Sequence, residues 1–418
     1  HGRCDLTVQD GVWKYLLKTD WGWTDNVIEY NQGELNIDTS KTPYLNIKVK
    51  ASKDTTLFLN KKPEGDWIRL DFATIKANQL TEMQIKLSDI PGIAYRNKDK
   101  AVIQNDFRPV IDLSTIPFVY DHIEDFENRI IYYESSRGCP FSCSYCLSSI
   151  DKCLRFREIE LVKKELQFFI DKKVPQVKFV DRTFNCKKEH CMEIWKFLLE
   201  HDNGVTNFHF EIAADLITQE ELSLLKQMRP GLIQLEIGVQ SVNPDTLVAI
   251  RRKMDFQKVK EVVGKIRSFH NIHQHLDLIA GLPCEDYESF GRSFDAVYSL
   301  KPSQLQLGFL KVLKGSYMFE HAREYGLIYQ SKPPYEVMKT NWLSFDEVLK
   351  IKQVEEMLEV YYNSHQYEVT MKILEQFFDG GFEMFQKMGE FYEMQGYFHL
   401  KHTRIRRCEI LLEFAKEY

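Results

Sequence analysis

Three cysteines crowd together in this chain: Cys139, Cys143 and Cys146 stand in Cys-x3-Cys-x2-Cys spacing within the segment ESSRGCPFSCSYCLSS, 134–149. Thiolates spaced in this way on one loop can each hold one iron of a cubane cluster. The fourth iron then has no protein ligand and is open to a small molecule. A structural zinc site would instead need a fourth Cys or His to close its tetrahedron. Cys153, Cys186 and Cys191 are candidates for that role, but no second Cys-x2-Cys pair exists, and the spacing favours a cluster. Gly138, just before the first cysteine, permits a tight turn into the loop.

The elements that position this loop follow from periodicity. Short apolar runs at 130–133, 176–180, 207–212, 231–239, 272–280 and 304–309 read as strands. Amphipathic stretches at 159–171, 189–200, 219–227, 257–269 and 287–300 read as the helices between them. Strand–helix alternation of this kind predicts a parallel sheet in an α/β fold, a partial (β/α)6 barrel over 129–315. Ligands of such sheets sit beyond the carboxyl ends of the strands, where the cysteine loop also falls.

The flanks differ. Residues 1–86 alternate apolar and polar over 42–59 and again over 66–72, which predicts a β-rich module of antiparallel strands. The alternation runs on both sides of a turn-like Ser52-Lys53-Asp54, and Trp13, Trp21 and Trp23 are read as packing residues. Residues 87–128 form a connector with a turn at Ile90-Pro91-Gly92 and a hairpin tip at 96–99. Residues 316–418 form a C-terminal helical domain, broken at Gly380-Gly381, whose many aromatics pack a bundle.

Composition narrows the class. Of 418 residues, 44% are hydrophobic and 28% charged, enough for a sizeable core, and the net charge of −6 gives no general attraction to nucleic acid. Arg251, Arg252 and Lys253 form a local basic run, read as a solvated helix end. No run of 18 apolar residues exists to span a membrane. Nine cysteines, six of them scattered, suggest a reducing compartment, and the cytoplasm is the expected location. His209, His273 and His275 read as polar barrel lining rather than metal ligands.

The cysteine segment resembles the signature of the radical S-adenosylmethionine (SAM) superfamily, Cys-x3-Cys-x-aromatic-Cys, with Tyr145 as the aromatic. The resemblance extends over 87–418 through IPGIAYRN, FVDRTFN, HFEIAADL, LEIGVQS and LDLIAGLP, and is nearest to the cobalamin-associated branch with a C-terminal helical domain. It implies a TIM-like radical SAM barrel that binds a 4Fe–4S cluster and SAM and begins hydrogen abstraction or methyl transfer on an unassigned substrate. It also implies an electron donor such as flavodoxin or ferredoxin. A methylthiotransferase acting on RNA or protein, or a non-catalytic iron–sulfur protein, is the alternative.

Carried over residue by residue, the resemblance places Asp181 and Thr183 near the methionine moiety and Glu211 on the ribose hydroxyls. Gly238, Gln240 and Ser241 would lie beside SAM, with Asp277, Gly281 and Pro283 near adenine. Arg182 stands where relatives often carry a second acidic residue. The branch also admits cobalamin, but its Asp-x-His-x-x-Gly loop has no counterpart in residues 1–86.

Overall fold

The computed structural model describes residues 90–418, apart from 98, 121, 127, 128 and 151, and before them the backbone of six strands. These are β1 (Cys4–Gln9), β2 (Val12–Leu17), β3 (Tyr44–Lys50), β4 (Thr55–Lys61), β5 (Ile68–Ile75) and β6 (Leu80–Lys86). They pair antiparallel, β1 with β2, β3 with β6 and β4 with β5. The strands flanking Ser52–Asp54 therefore do not pair with each other. Alternation identifies residues that share a face, but it carries no information about which strand lies alongside. The side chains of Trp13, Trp21 and Trp23 lie outside the described residues. A hairpin of β7 (Ala94–Arg96) and β8 (Val102–Gln104) follows, its tip closed by Asn97 Oδ1, which accepts from the Asp99 and Ala101 amides. The chain divides into two compact units, His1–Val110 and Ile111–Tyr418.

The second unit is built on a six-stranded parallel sheet in the order β16-β15-β14-β13-β12-β9. Its strands are β9 (Ile131–Tyr133), β12 (Gln176–Phe179), β13 (Asn207–Ile212), β14 (Ile233–Gln240), β15 (His273–Ala280) and β16 (Gln304–Phe309). A short pair, β10 (Ser136–Arg137) and β11 (Arg155–Phe156), brackets the cysteine loop. The crossovers carry α1 (Ile159–Asp171), α2 (Lys188–Glu200), α3 (Gln219–Leu225), α4 (Pro244–Ala249), α5 (Phe256–Arg267) and α6 (Tyr287–Tyr298). The expected partial (β/α)6 barrel is therefore present, with α4 as an addition. Each strand turns its apolar residues to the helices: Val177, Phe179, Phe208, Phe210, Leu235, Ile237, Leu276 and Leu278 are all buried in one core. The alternate positions, including Lys178, Glu211, Glu236 and Asp277, face the other way and are polar.

Beyond the sheet come α7 (Tyr317–Glu320), a small hairpin of β17 (Ile328–Tyr329) and β18 (Val337–Lys339), and then α8 (Phe345–Leu358), α9 (Glu368–Leu374), α10 (Gly381–Met394) and α11 (Arg404–Glu417). The hairpin leaves no mark in the sequence pattern: its strands are too short for alternation to register. Gly380 caps α10 and Gly381 begins it, which is the predicted break. Phe382, Phe385, Phe391 and Tyr392 are buried in the bundle, as expected. This region also covers the open edge of β16. Asn363, on a π-helical turn after α8, uses its side-chain amide as a peptide unit: Nδ2 donates to Leu305 O at 2.9 Å, and Oδ1 accepts from Leu305 N at 3.0 Å. Farther along, Val337 N donates to Leu310 O at 2.8 Å. An unpaired strand edge is thereby satisfied within the chain.

Candidate active site

The cysteine loop is held from both ends. Gly138 enters it at φ +94°, and a Cβ there would lie 2.7 Å from Cys153 O, so only glycine fits. Lys152 Nζ donates to Phe141 O at 3.0 Å and to Ser142 Oγ at 2.7 Å. In its middle, Ser144 N donates to Ile250 O and Ser144 O accepts from Met318 N, both at 2.9 Å. Tyr145 packs against a small core that includes Ile250, Leu282, Met318 and Val337. That burial raises the Tyr145 hydroxyl pKa, so the ring is neutral packing for the loop.

A cavity of about 220 Å³ opens at the strand ends beside this loop. Cys139, Cys143 and Cys146 line it together with Tyr145, Thr183, Glu211, Gly238, Gln240 and Asp277. Nine of the residues singled out in the sequence thus meet at one place, although they come from five segments of the chain.

Four do not reach the cavity wall. Asp181 is fully buried and turned to the start of the cysteine loop, where it accepts from Ser135 N, Ser135 Oγ and Ser136 Oγ. Burial raises its carboxyl to about 6 against the pull of these hydrogen bonds. Ser241 donates to Glu285 Oε1 at 2.6 Å, behind the wall. Gly281, at φ +84°, and Pro283 are buried turn residues, and Gly281 lies against Val337. A strand-end position alone does not tell which way a side chain turns.

Six lining residues were missed or set aside: Phe141, Arg182, Glu236, Arg252 and the Ile212-Ala213 pair. Arg252 corrects the reading of a solvated helix end. Its Nη2 donates to Gly238 O, its Nη1 lies 3.7 Å from Cys143 Sγ, and its Nε is buried without a partner. A signal was available in Asn243-Pro244, a capped helix start. The helix that follows has six residues, about 9 Å, too short to carry the chain away from the strand ends. Arg251 stacks its guanidinium over the Tyr317 ring at 3.6 Å.

The carboxylates of the wall differ in state. Burial pushes Glu211 up to about 7, aided by the charge of Glu236. Burial would raise Glu236 too, but hydrogen bonds from His209 Nε2 at 2.8 Å and Lys178 Nζ at 2.9 Å outweigh it and hold it at about 2. Asp277 is raised by burial, and His275 Nε2 lies 3.1 Å from its Oδ1 without hydrogen-bond geometry. His209 and His275 are thus partners of carboxylates inside the barrel, as expected of polar lining.

These residues fit a cluster and a polar ligand. Three thiols line the cavity and, among the described residues, no fourth Cys and no His joins them on its wall, the donor set of a cubane with one open iron. Among the described residues, no three Cys, His, Asp or Glu side chains are gathered to hold a single metal ion. The buried atoms Gln240 Oε1 and Arg252 Nε belong to residues of the same wall and make no hydrogen bond within the protein, which a ligand rich in donors and acceptors would satisfy. Among the described residues, that wall offers cobalamin no histidine.

Residues 133–297 match the family model of the radical SAM superfamily, and residues 323–418 match one described as a protein of unknown function (DUF4080). Bacteriochlorophyllide d C-12(1)-methyltransferase of Chlorobaculum tepidum is 26% identical over 221 residues, covering 49% of this chain and 45% of that protein. The cobalamin-dependent radical SAM methyltransferase TokK of Streptomyces tokunonensis is 27% identical over 260 residues, 56% of this chain and 37% of that protein. The chain thus spans about half, or less, of the length of these curated relatives. The structure of the cobalamin-dependent SAM radical enzyme OxsB, with aqua-cobalamin and SAM bound, superposes with a TM-score of 0.54 at 13% identity. That match covers 79% of this chain and 56% of OxsB, and it speaks for the fold.

Proposed function

Residues 133–297 of this chain are a radical SAM domain, and from that premise we propose that the cavity binds SAM against a 4Fe–4S cluster held by Cys139, Cys143 and Cys146, to begin radical chemistry on a substrate. The observation that carries this is the single wall that joins three thiols to polar groups from successive strand ends. When bound, the cluster supplies the electron for reductive cleavage of SAM and hence a 5′-deoxyadenosyl radical.

The chain's own residues bind and orient. Glu211, which lines the cavity and whose proton answers to burial and neighbouring charge, would accept from the ribose diol. Glu236 is already engaged by His209 and Lys178 and suits that task less. Arg252 brings a fixed positive charge beside Cys143, where it would meet the carboxylate of SAM. Gln240 offers an acceptor without a hydrogen-bond partner, Oε1, and Asp277 a carboxylate on the same wall, to the donors of the ligand. Phe141 and Ile212 supply apolar wall that helps keep water from the reacting bond.

Of hydrogen abstraction and methyl transfer, the second is favoured by the names of the two relatives reported above, both methyltransferases. Anaerobic reconstitution followed by dithionite and SAM tests the core reading: 5′-deoxyadenosine should accumulate slowly even without substrate. A reducible cluster that binds SAM and never cleaves it would leave a non-catalytic SAM-binding protein instead.

A further inference from the structure

Asp181 sits at the carboxyl end of β12 and yet faces away from the cavity. The backbone ladder between β9 and β12 ends where Val180 N donates to Tyr133 O at 2.9 Å. Asp181 continues that ladder with its side chain. Oδ2 accepts from Ser135 N at 3.0 Å, and Oδ1 accepts from Ser135 Oγ at 2.7 Å and from Ser136 Oγ at 2.5 Å. All three residues are buried, Asp181 and Ser135 with no exposed surface.

The network closes on its far side. Having donated its hydrogen to Asp181, Ser135 Oγ can only accept from His190 Nε2, 3.0 Å away, which fixes the tautomer of that ring. Burial and the charge of Lys187 push His190 down to about 4, so it stays neutral. Phe156 packs on the His190 ring and pairs by backbone with Ser136. Ser135 O in turn accepts from Arg157 N at 2.8 Å. Every polar group of Ser135 is therefore committed, three residues before Gly138 turns the chain into Cys139.

Two residues after Asp181, the same turn touches the loop again: Thr183 Oγ1 lies 3.6 Å from Cys139 Sγ. A carboxylate suits the Asp181 position because it accepts from three donors and presents none. An asparagine would turn an NH2 toward at least one serine donor and leave it buried and unpaired.

We propose that Asp181 is a positioning residue that mounts the cysteine loop: its carboxylate braces Ser135 and Ser136 so that Cys139 is presented to the cluster at a fixed place, and it makes no contact with SAM. The proposal rests on the reading of Cys139, Cys143 and Cys146 as cluster ligands.

The test compares Asp181→Asn, Ser136→Ala and the double variant with the wild-type chain, all reconstituted anaerobically with iron and sulfide. Four readouts are taken: circular dichroism of the apo protein, iron per chain with its rate of loss to a chelator, the EPR signal of the reduced cluster, and SAM affinity per assembled cluster. In Asp181→Asn, iron loss to a chelator should quicken by about tenfold or more, as expected when a charged acceptor leaves buried donors unpaired. Its EPR signal should broaden, and SAM affinity per assembled cluster should stay as in the wild type. Ser136→Ala should shift iron loss the same way by less, and the double variant should be no worse than Asp181→Asn, because the two residues act through one network.

A wild-type cluster signal combined with weakened SAM binding in Asp181→Asn would overturn the proposal and make Asp181 a ligand contact. Additive losses in the double variant would overturn it too. If Asp181→Asn fails to fold, Ser136→Ala decides: wild-type iron retention and line shape there refute the mount. A wild-type chain that takes up no iron would refute the cluster reading, and the mount with it.

Discussion

Glu211 and Glu236 stand opposite one another on adjacent parallel strands, and their surroundings drive their protons in opposite directions. Burial and its neighbour's charge push Glu211 up to about 7, while His209 and Lys178 hold Glu236 down at about 2 despite burial. Two carboxylates on one wall thereby acquire two characters, one engaged and one available.

Glu211→Gln should weaken SAM binding by about ten- to hundredfold, the equivalent of one charged hydrogen bond of roughly 1.5–3 kcal/mol. The cluster spectrum should persist, because Glu211 ligates no iron. Glu236→Gln should weaken SAM binding less and should instead destabilise the fold, since Lys178 and His209 lose their partner. Isothermal titration of both reconstituted variants checks this, and equal affinities for SAM in the two would sink the assignment.

The same pair sets a pH dependence. Glu211 holds its proton more tightly folded than unfolded, so between about 4.5 and about 7 the native state binds more protons and loses stability as pH rises. Glu236 acts the other way: its contribution is complete above about 4.5 and is lost as pH falls toward 2. In urea unfolding of the apo protein, Glu211→Gln should gain on the wild type as pH rises through that first window. Parallel curves for the two proteins between pH 4.5 and 7 would count against it.

Replacing any one of Cys139, Cys143 or Cys146 with alanine should abolish the reducible cluster, whereas the wild type should take up about four irons per chain. Cys153, Cys186 and Cys191 do not line the cavity, and their alanine variants should keep the signal. Iron analysis with EPR after reconstitution settles the matter, and stoichiometric zinc without iron would defeat the cluster reading.

Asn363→Leu should destabilise the chain by about 1–3 kcal/mol, because it leaves Leu305 N and O without their partner at the edge of β16. Hydrogen exchange at Leu305 should quicken with it. A variant as stable as the wild type, with unchanged protection at Leu305, would show that the edge is held by other means.

Much of this protein is legible along the chain. The helix expected at 159–171 is α1, and the strands expected at 207–212 and 304–309 are β13 and β16, residue for residue. Period-two and period-3.6 patterns are local, written within a few neighbours, and survive folding unchanged. The cysteine spacing is equally local, so the residues alone identify the loop and its thiols. Glu211 falls at a strand end for the same reason.

Other features depend on contacts between distant segments. Arg252 enters the cavity because α4 is short and returns the chain to Gly238 and Cys143. Asp181 turns from the cavity because Ser135 N, left without a ladder partner beyond β9, takes its carboxylate. β3 lies beside β6 rather than β4, and Asn363 serves as a strand edge 58 residues from Leu305. Sequence alone determined which elements form and which loop carries the thiols, since those follow from spacing. Tertiary structure decided which way each polar side chain turns, because a buried donor or acceptor must find its partner wherever the fold brings one near.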